Sequence, residues 1–393
     1  MLIAGFAQEV ITPPQGVELQ EYSYRRFSKG MHDDLFVKVI LCETAGNVFG
    51  FVIFDLISLK DNGFEELERR IVTQYGRKLP DNLIISTIHT HTGPMFPADL
   101  TEADELTRYS FDLAMSTAIP ALGRALLNLA PCELVVDSAY NNLYGFVRCY
   151  WMKNGTVVTN PGRCNPDIDK PESDLNRTIG IMAIKQNNMI SALICNIANH
   201  DDTIGGNLIS ADWDGRFAQE IQYRLNASIP VMVVDDASGD INHFDFHQKI
   251  NQSSYSEATR IGRGYGAIVM AALDKLESIV VNEVEIINGS MTIPHRRVTE
   301  EEYLEAKRIL AEIPDIKKNG PLESQDLASN NPAALRIFAR HTVDCYEKRI
   351  PSHNCRLTVF KIGKAFAAIS LPGEPFNGIT VPSEMQALVS THS

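Results

Sequence analysis

The sequence predicts an α/β fold: a mixed, largely buried β-sheet flanked by helices. Three observations carry this reading. Five apolar or β-branched runs of strand length recur along the chain, and amphipathic helical patterns fall between them. The runs are apolar throughout rather than alternating, as expected of strands covered on both faces.

Taken in order, the first run is VFGFVIFDLIS (48–58), which contains Asp55 near its end. GFEELERRIVTQYG (63–76) then sets Leu67, Ile71 and Tyr75 on one stripe and stops at a glycine, the pattern of a helix. The second run, NLIISTIHTH (82–91), ends in His89 and His91, and a Gly-Pro stop follows. DELTRYSFDLAMSTAIPALGRALLNLA (104–130) is long enough for two helices, or for one kinked at Pro120. ISALICNIANH (190–200) ends at His200, with Asp201 and Asp202 behind it. DGRFAQEIQYRL (214–225) reads as a helix opening on an N-cap aspartate.

IPVMVVDDASGD (229–240) ends at Asp240, three residues before His243. EATRIGRGYGAIVMAALDKLE (257–277) reads as a helix despite its glycines, and AFAAISLPGE (365–374) closes on Glu374. Residues 281–345 read as a strand, a basic turn, a charged helix, and then a loop and helix at the surface. This is a surface excursion from a single domain over 1–393. No internal repeat is visible in the sequence.

Composition narrows the function. Hydrophobic residues are 44% and charged residues 22%, enough apolar material for a sizeable core. A formal charge of −13, with no basic face longer than HRRV (295–298), argues against nucleic acid as a partner. The seven cysteines lack CxxC spacing, which points to reduced thiols and a cytoplasmic protein. The N-terminus lacks the positive segment of a secretory signal, and no apolar stretch reaches the roughly 18 residues of a membrane span.

The strand ends suggest chemistry. In an open α/β sheet ligands gather at the carboxyl ends of strands. In an extended segment His89 and His91 would project to one face, because side chains alternate with period two. His-x-His is a short motif, so metal binding and a purely structural role both stay open at this point. Asp55 and Asp240 read equally well as turn caps, and Glu374 as a solvated acid. If the ends converge, His89, His200 and Glu374 supply two imidazoles and a carboxylate, a ligand set suited to a catalytic zinc. His91 is then left to move protons, with an unperturbed pKa of about 6.5.

The motifs, in their order, resemble those of the neutral ceramidases, zinc-dependent amidases that split ceramide into sphingosine and a fatty acid. HTHTGP is similar to the family's HTHSGP, AGFAQEVITPP to its opening element, and GMHDDLFVKVILCE to its GIHD segment. NHDDTIGGNLISADWDGR matches the second-histidine motif, SGDIN the GD turn, and LPGEPF the PGE motif. The resemblance spans most of the chain and is to the bacterial short form, without the carboxyl-terminal immunoglobulin-like domain. It implies that His89, His200 and Glu374 bind zinc and that His91 is the acid/base group. It also implies that Arg148, in NNLYGFVRCYW, steadies the scissile carbonyl or its oxyanion, although a structural ion pair is the competing role. The expected substrate is a small N-acyl compound, and the missing domain argues against ceramide itself.

The chain departs from the family in one ligand. The family's fourth is a tyrosine well beyond PGE, whereas Tyr346 is the last tyrosine here and the sequence runs only to Ser393. Asp202, Asp212 and Asp240 are candidate acceptors for the ring N–H of a liganding histidine. Asp212 has a competing role as N-cap of the helix starting near Asp214. His243 either lines the substrate site or is a satisfied loop histidine. Trp151 and Trp213 pack either on an apolar substrate group or in the core. The rivals are a non-catalytic binding protein on the same fold and a zinc peptidase or esterase; the absence of HExxH weakens the peptidase.

Overall fold

In the computed structural model, residues 1–19, 26–101, 103–273, 275, 278–314 and 331–377 are described. The first half of the chain builds one five-stranded sheet from β1 (Ile3–Val10), β2 (Phe36–Thr44), β3 (Asn47–Phe54) and β4 (Leu83–Thr87), with the short strand Ala130–Pro131 beside β1. β2 and β3 form a hairpin whose two turn residues, Ala45 and Gly46, both have positive φ (51° and 77°). This backbone twist suits a two-residue connection between twisted strands. Helix α1 (Lys60–Tyr75) then carries the chain over to β4, which runs parallel to β3. Helix α2 (Glu105–Leu127) returns it to the edge of β1.

The second half repeats this connectivity. β5 (Glu133–Tyr140), β6 (Thr178–Gln186), β7 (Met189–Ile197) and β8 (Val231–Asp235) form the second sheet, with Ser278–Ile279 beside β5. β6 and β7 are again a hairpin over two positive-φ residues, Asn187 and Asn188. Helix α3 (Asp212–Leu225) leads to β8, parallel to β7, and α4 (Tyr255–Leu273) leads back. The repetition lies in topology and not in residues, so the sequence does not display it.

Alternation along β6 shows how the sheets stack. Met182 and Ile184 join the core that contains Val37, Val39 and Leu41 of the first sheet. Ile179, Ile181 and Ala183 face Phe217, Ile261 and Tyr265 of α3 and α4. Leu67 of α1 and Met115 of α2 join the first of these cores. The layers therefore run helix, sheet, sheet, helix, and both sheets are covered on both faces. The predicted mixed α/β architecture of buried strands flanked by helices is present, with those strands divided between two stacked sheets.

Local chemistry explains the helices. α2 runs unbroken through Pro120, which is exposed, so the hydrogen bond it forfeits lies on the solvent side. α4 tolerates its glycines because α3 crosses it closely. A Cβ on Gly262 would lie 2.5 Å from the Trp213 carbonyl oxygen. The predicted start of α3 is corrected: Ala211 is the N-cap and Asp212 is already the first helical residue, with Asp214 inside the first turn.

Beyond the two sheets, β9 (Glu285–Pro294), β10 (Ser352–Ile362) and β11 (Phe366–Ile369) make a third, antiparallel sheet. It is anchored by Phe360, whose ring meets Phe49 and Phe51 edge-on at 5.3 and 5.6 Å. Helices α5 (Glu300–Glu312), which opens on a Thr299–Glu302 capping box, and α6 (Pro332–Lys348) pack on each other through the stacked rings of Tyr303 and Tyr346. The predicted loop at 317–330 lies outside the described residues. Among the described residues no helix is long and apolar enough to cross a membrane.

Candidate metal centre

The two parallel strand pairs end on the same side of the molecule, and the histidines follow those ends. β4 stops at Thr87, so His89 and His91 do not leave an extended strand as the alternation argument assumes. His89 instead takes a left-handed backbone conformation (φ 61°), which histidine tolerates better than bulkier residues. Its ring still comes within 5.1 Å of His91 and 4.8 Å of His200, centroid to centroid. One nitrogen from each of the three rings lies within 4.8 Å of the others.

Main-chain carbonyls aim the rings. His89 Nδ1 sits 2.9 Å from the carbonyl oxygen of Ile57. If Nδ1 carries the proton and donates it there, Nε2 is left as a lone pair facing the Glu374 carboxylate at 3.1 Å. His200 Nε2 lies 3.0 Å from His91 Nε2, and the His200 ring hydrogen-bonds to the backbone of Ser238. The ring acceptors are thus carbonyls of the loops after β3 and β8, in the place where Asp202, Asp212 and Asp240 were expected. A metal fits this donor set: inward nitrogens in fixed orientation and a carboxylate at hydrogen-bond distance.

The backbone of the site is cross-tied. His91 N–H donates to the Asp201 carbonyl at 3.0 Å, joining the two histidine segments. Arg26, only 2% exposed, donates from Nη2 to the His91 carbonyl and from Nη1 to the Gly206 carbonyl, each at 2.6 Å. Trp213 is fully buried, and its Nε1 donates to the His200 carbonyl at 3.1 Å, so it is a core residue that also braces the site. Trp151 is 37% exposed.

The other predicted residues fall around this centre. Arg148 donates from its guanidinium to the Gly239 carbonyl, and its field reaches His91 and His200. Asp240 Oδ1 accepts from the backbone N–H of Asn377 at 2.6 Å. Asp212 accepts from the N–H groups of Thr203, Ile204 and Trp213. Burial nonetheless raises its pKa to about 7. Asp202 acts on His243 through its charge. His243 itself is 1% exposed and packs on Phe244, so it faces no open surface. Asp55 is held in a buried ion pair with Lys38 at 2.9 Å.

Burial pushes the pKa of His91 well below its ordinary value, helped by the charges of His89, Arg26 and Arg148. Burial does the same to His200, with His91, His89 and Arg148 adding to it. Both are therefore neutral near pH 7, the form that binds metal or accepts a proton. Behind them lie the carboxyls of Asp201, Asp214 and Asp235. Burial raises all three well above the usual carboxylate range, with repulsion from neighbouring carboxylates adding to it and, at Asp214, Lys38 opposing it. Sequence reasoning named Asp201 at a strand end without giving it a role, and missed Arg26 and the carbonyls of Ile57 and Ser238. Main-chain acceptors and a lone arginine leave no pattern to find.

No protein-family model and no curated protein matches the sequence. Solved structures do match in fold, ceramidases among them. A crystal structure of neutral ceramidase from Pseudomonas aeruginosa superposes with a TM-score of 0.69 at 16% identity, covering 98% of this chain and 65% of that one. A ceramidase complexed with C2 gives the same score and identity, covering 99% and 66%. The chain has the ceramidase fold and spans about two thirds of the length of those structures.

Proposed function

We propose that the chain is a zinc-dependent amidohydrolase that cleaves the N-acyl bond of a small substrate. The observation that carries this reading is the approach of His89, His91 and His200 to within 4.8 Å, with Glu374 against the first of them. His89, His200 and Glu374 would hold the ion. When bound, zinc lowers the pKa of water towards neutrality and polarises a carbonyl. His91, neutral and buried, accepts a proton from the attacking water and returns it to the departing nitrogen, which is a poor leaving group until protonated. Arg148 steadies the carbonyl oxygen as negative charge develops on it. An ester is the less favoured substrate.

One observation favours a second reading: the geometric trio includes His91, so a three-histidine ligand set is the alternative to two histidines and a carboxylate. Within the proposal, residues 1–393 form one catalytic domain, with the excursion at 281–345 lying outside the site. The unpaired state of all seven cysteines fits a reducing cytoplasm.

The test uses a panel of N-acyl amines, amino acids and sugars, with protein stripped by chelator and then reloaded with zinc. Zinc-restored release of the free amine is the expected result. Tight zinc binding with no turnover across the panel would instead favour a non-catalytic binding protein on this fold.

A further inference from the structure

Glu374 reaches the histidines from an unusual direction. It belongs to neither central sheet, but to the segment that leaves the third sheet after β11 ends at Ile369. Its side chain is 47% exposed, while His89 is 17% exposed. A half-exposed carboxylate on a connecting segment keeps a fixed position only if the segment itself is held.

The hold lies three residues on. Asn377 is fully buried. Its backbone N–H donates to Asp240 Oδ1 at 2.6 Å, and its side-chain oxygen accepts from Asn176 N–H at 3.0 Å. Its side-chain nitrogen donates to the Asp174 carbonyl and approaches Ser173 Oγ at 3.4 Å. Between Glu374 and Asn377, the Pro375 carbonyl accepts from Gly239 N–H at 3.0 Å. Contact there is so close that a Cβ on Gly239 would fall 2.5 Å from the Glu374 carbonyl oxygen.

The same two residues hold Arg148. Its guanidinium donates to the Gly239 carbonyl, and its backbone N–H to the Asp240 carbonyl at 2.8 Å. Gly239 and Asp240 thus bracket the carboxylate-bearing turn on one side and the arginine on the other.

We propose that Asp240 and Asn377 form a latch that positions Glu374 against His89, so that this carboxylate serves the metal centre only while the latch is closed. They are positioning residues and touch no reacting atom. The inference rests on the reading of Glu374 as a metal ligand.

Zinc affinity of the full-length chain, measured by competition with a fluorescent chelator, tests it. Glu374→Gln is the benchmark. Asn377→Ala should weaken zinc binding by about 10–100-fold, the usual cost of losing an outer support. Combined with Glu374→Gln it should cost nothing further, because both changes remove the same ligand. Asp240→Ala, which removes the acceptor of the Asn377 N–H, should behave alike and serves if Asn377→Ala does not fold.

Losses that add in the double variants would overturn the latch, as would wild-type affinity in both latch variants while Glu374→Gln is weakened. If Glu374→Gln itself binds zinc like wild type, the ligand assignment fails and the latch falls with it.

Discussion

His91 and His200 present their Nε2 atoms to each other across 3.0 Å. Two imidazole nitrogens at that separation repel unless a proton or an ion lies between them. Burial keeps both rings neutral, so one site can use the first nitrogen for proton transfer and the second for a metal.

Changing His91 to Ala separates these roles. The proton-shuttle assignment predicts retention of zinc and a fall in kcat of roughly 10²–10⁴-fold. Zinc content and turnover are measured on the same sample. Loss of the ion from His91→Ala would make this residue a ligand.

The low pKa values of His91 and His200 fix the sign of the pH response. Both titrate below the ordinary 6.5 in the folded chain. The unfolded chain therefore binds more protons once the pH drops below that value. Metal-free protein should lose stability as pH falls from 6.5 through the folded-state values. Urea midpoints across this range should show a shallower slope for His91→Gln than for wild type. Activity should hold through pH 6.5 and fall only further to the acid side, where the depressed pKa of His91 is reached and its base form is lost.

Gly262→Ala probes a contact remote from the histidines. The added methyl would press on the Trp213 carbonyl at 2.5 Å and on Phe217 N at 2.6 Å. Overpacking of this kind costs about 1–3 kcal/mol. Because Trp213 also donates to the His200 carbonyl, zinc affinity should drop together with the thermal midpoint. A lower midpoint with unchanged affinity would show that Trp213 is not a brace for His200.

The sequence made some of this legible and hid the rest. Apolar runs marked β3, β4, β7 and β8, because buried strands leave a compositional trace within a few residues, and also β11, which is half-exposed. His89, His91, His200 and Glu374 were singled out because they end such runs. Their mutual geometry was not legible. The left-handed turn at His89, and the Ile57 and Ser238 backbone partners of the rings, depend on loops far apart in the chain. The repeated connectivity was hidden because only strand order is shared, as with the different turn residues Ala45–Gly46 and Asn187–Asn188. Asp55 had the right position at a strand end but is claimed by Lys38, a partner that pattern alone does not reveal.

The central claim is a zinc site built on His89 and His200. Metal content by mass spectrometry, on protein purified without chelator and then loaded with zinc, tests it most directly. The account predicts a single tightly held ion per chain in wild type, lost from His89→Ala and from His200→Ala. Wild-type protein with no zinc above the buffer blank, or an ion still held after both histidines are removed, would contradict it.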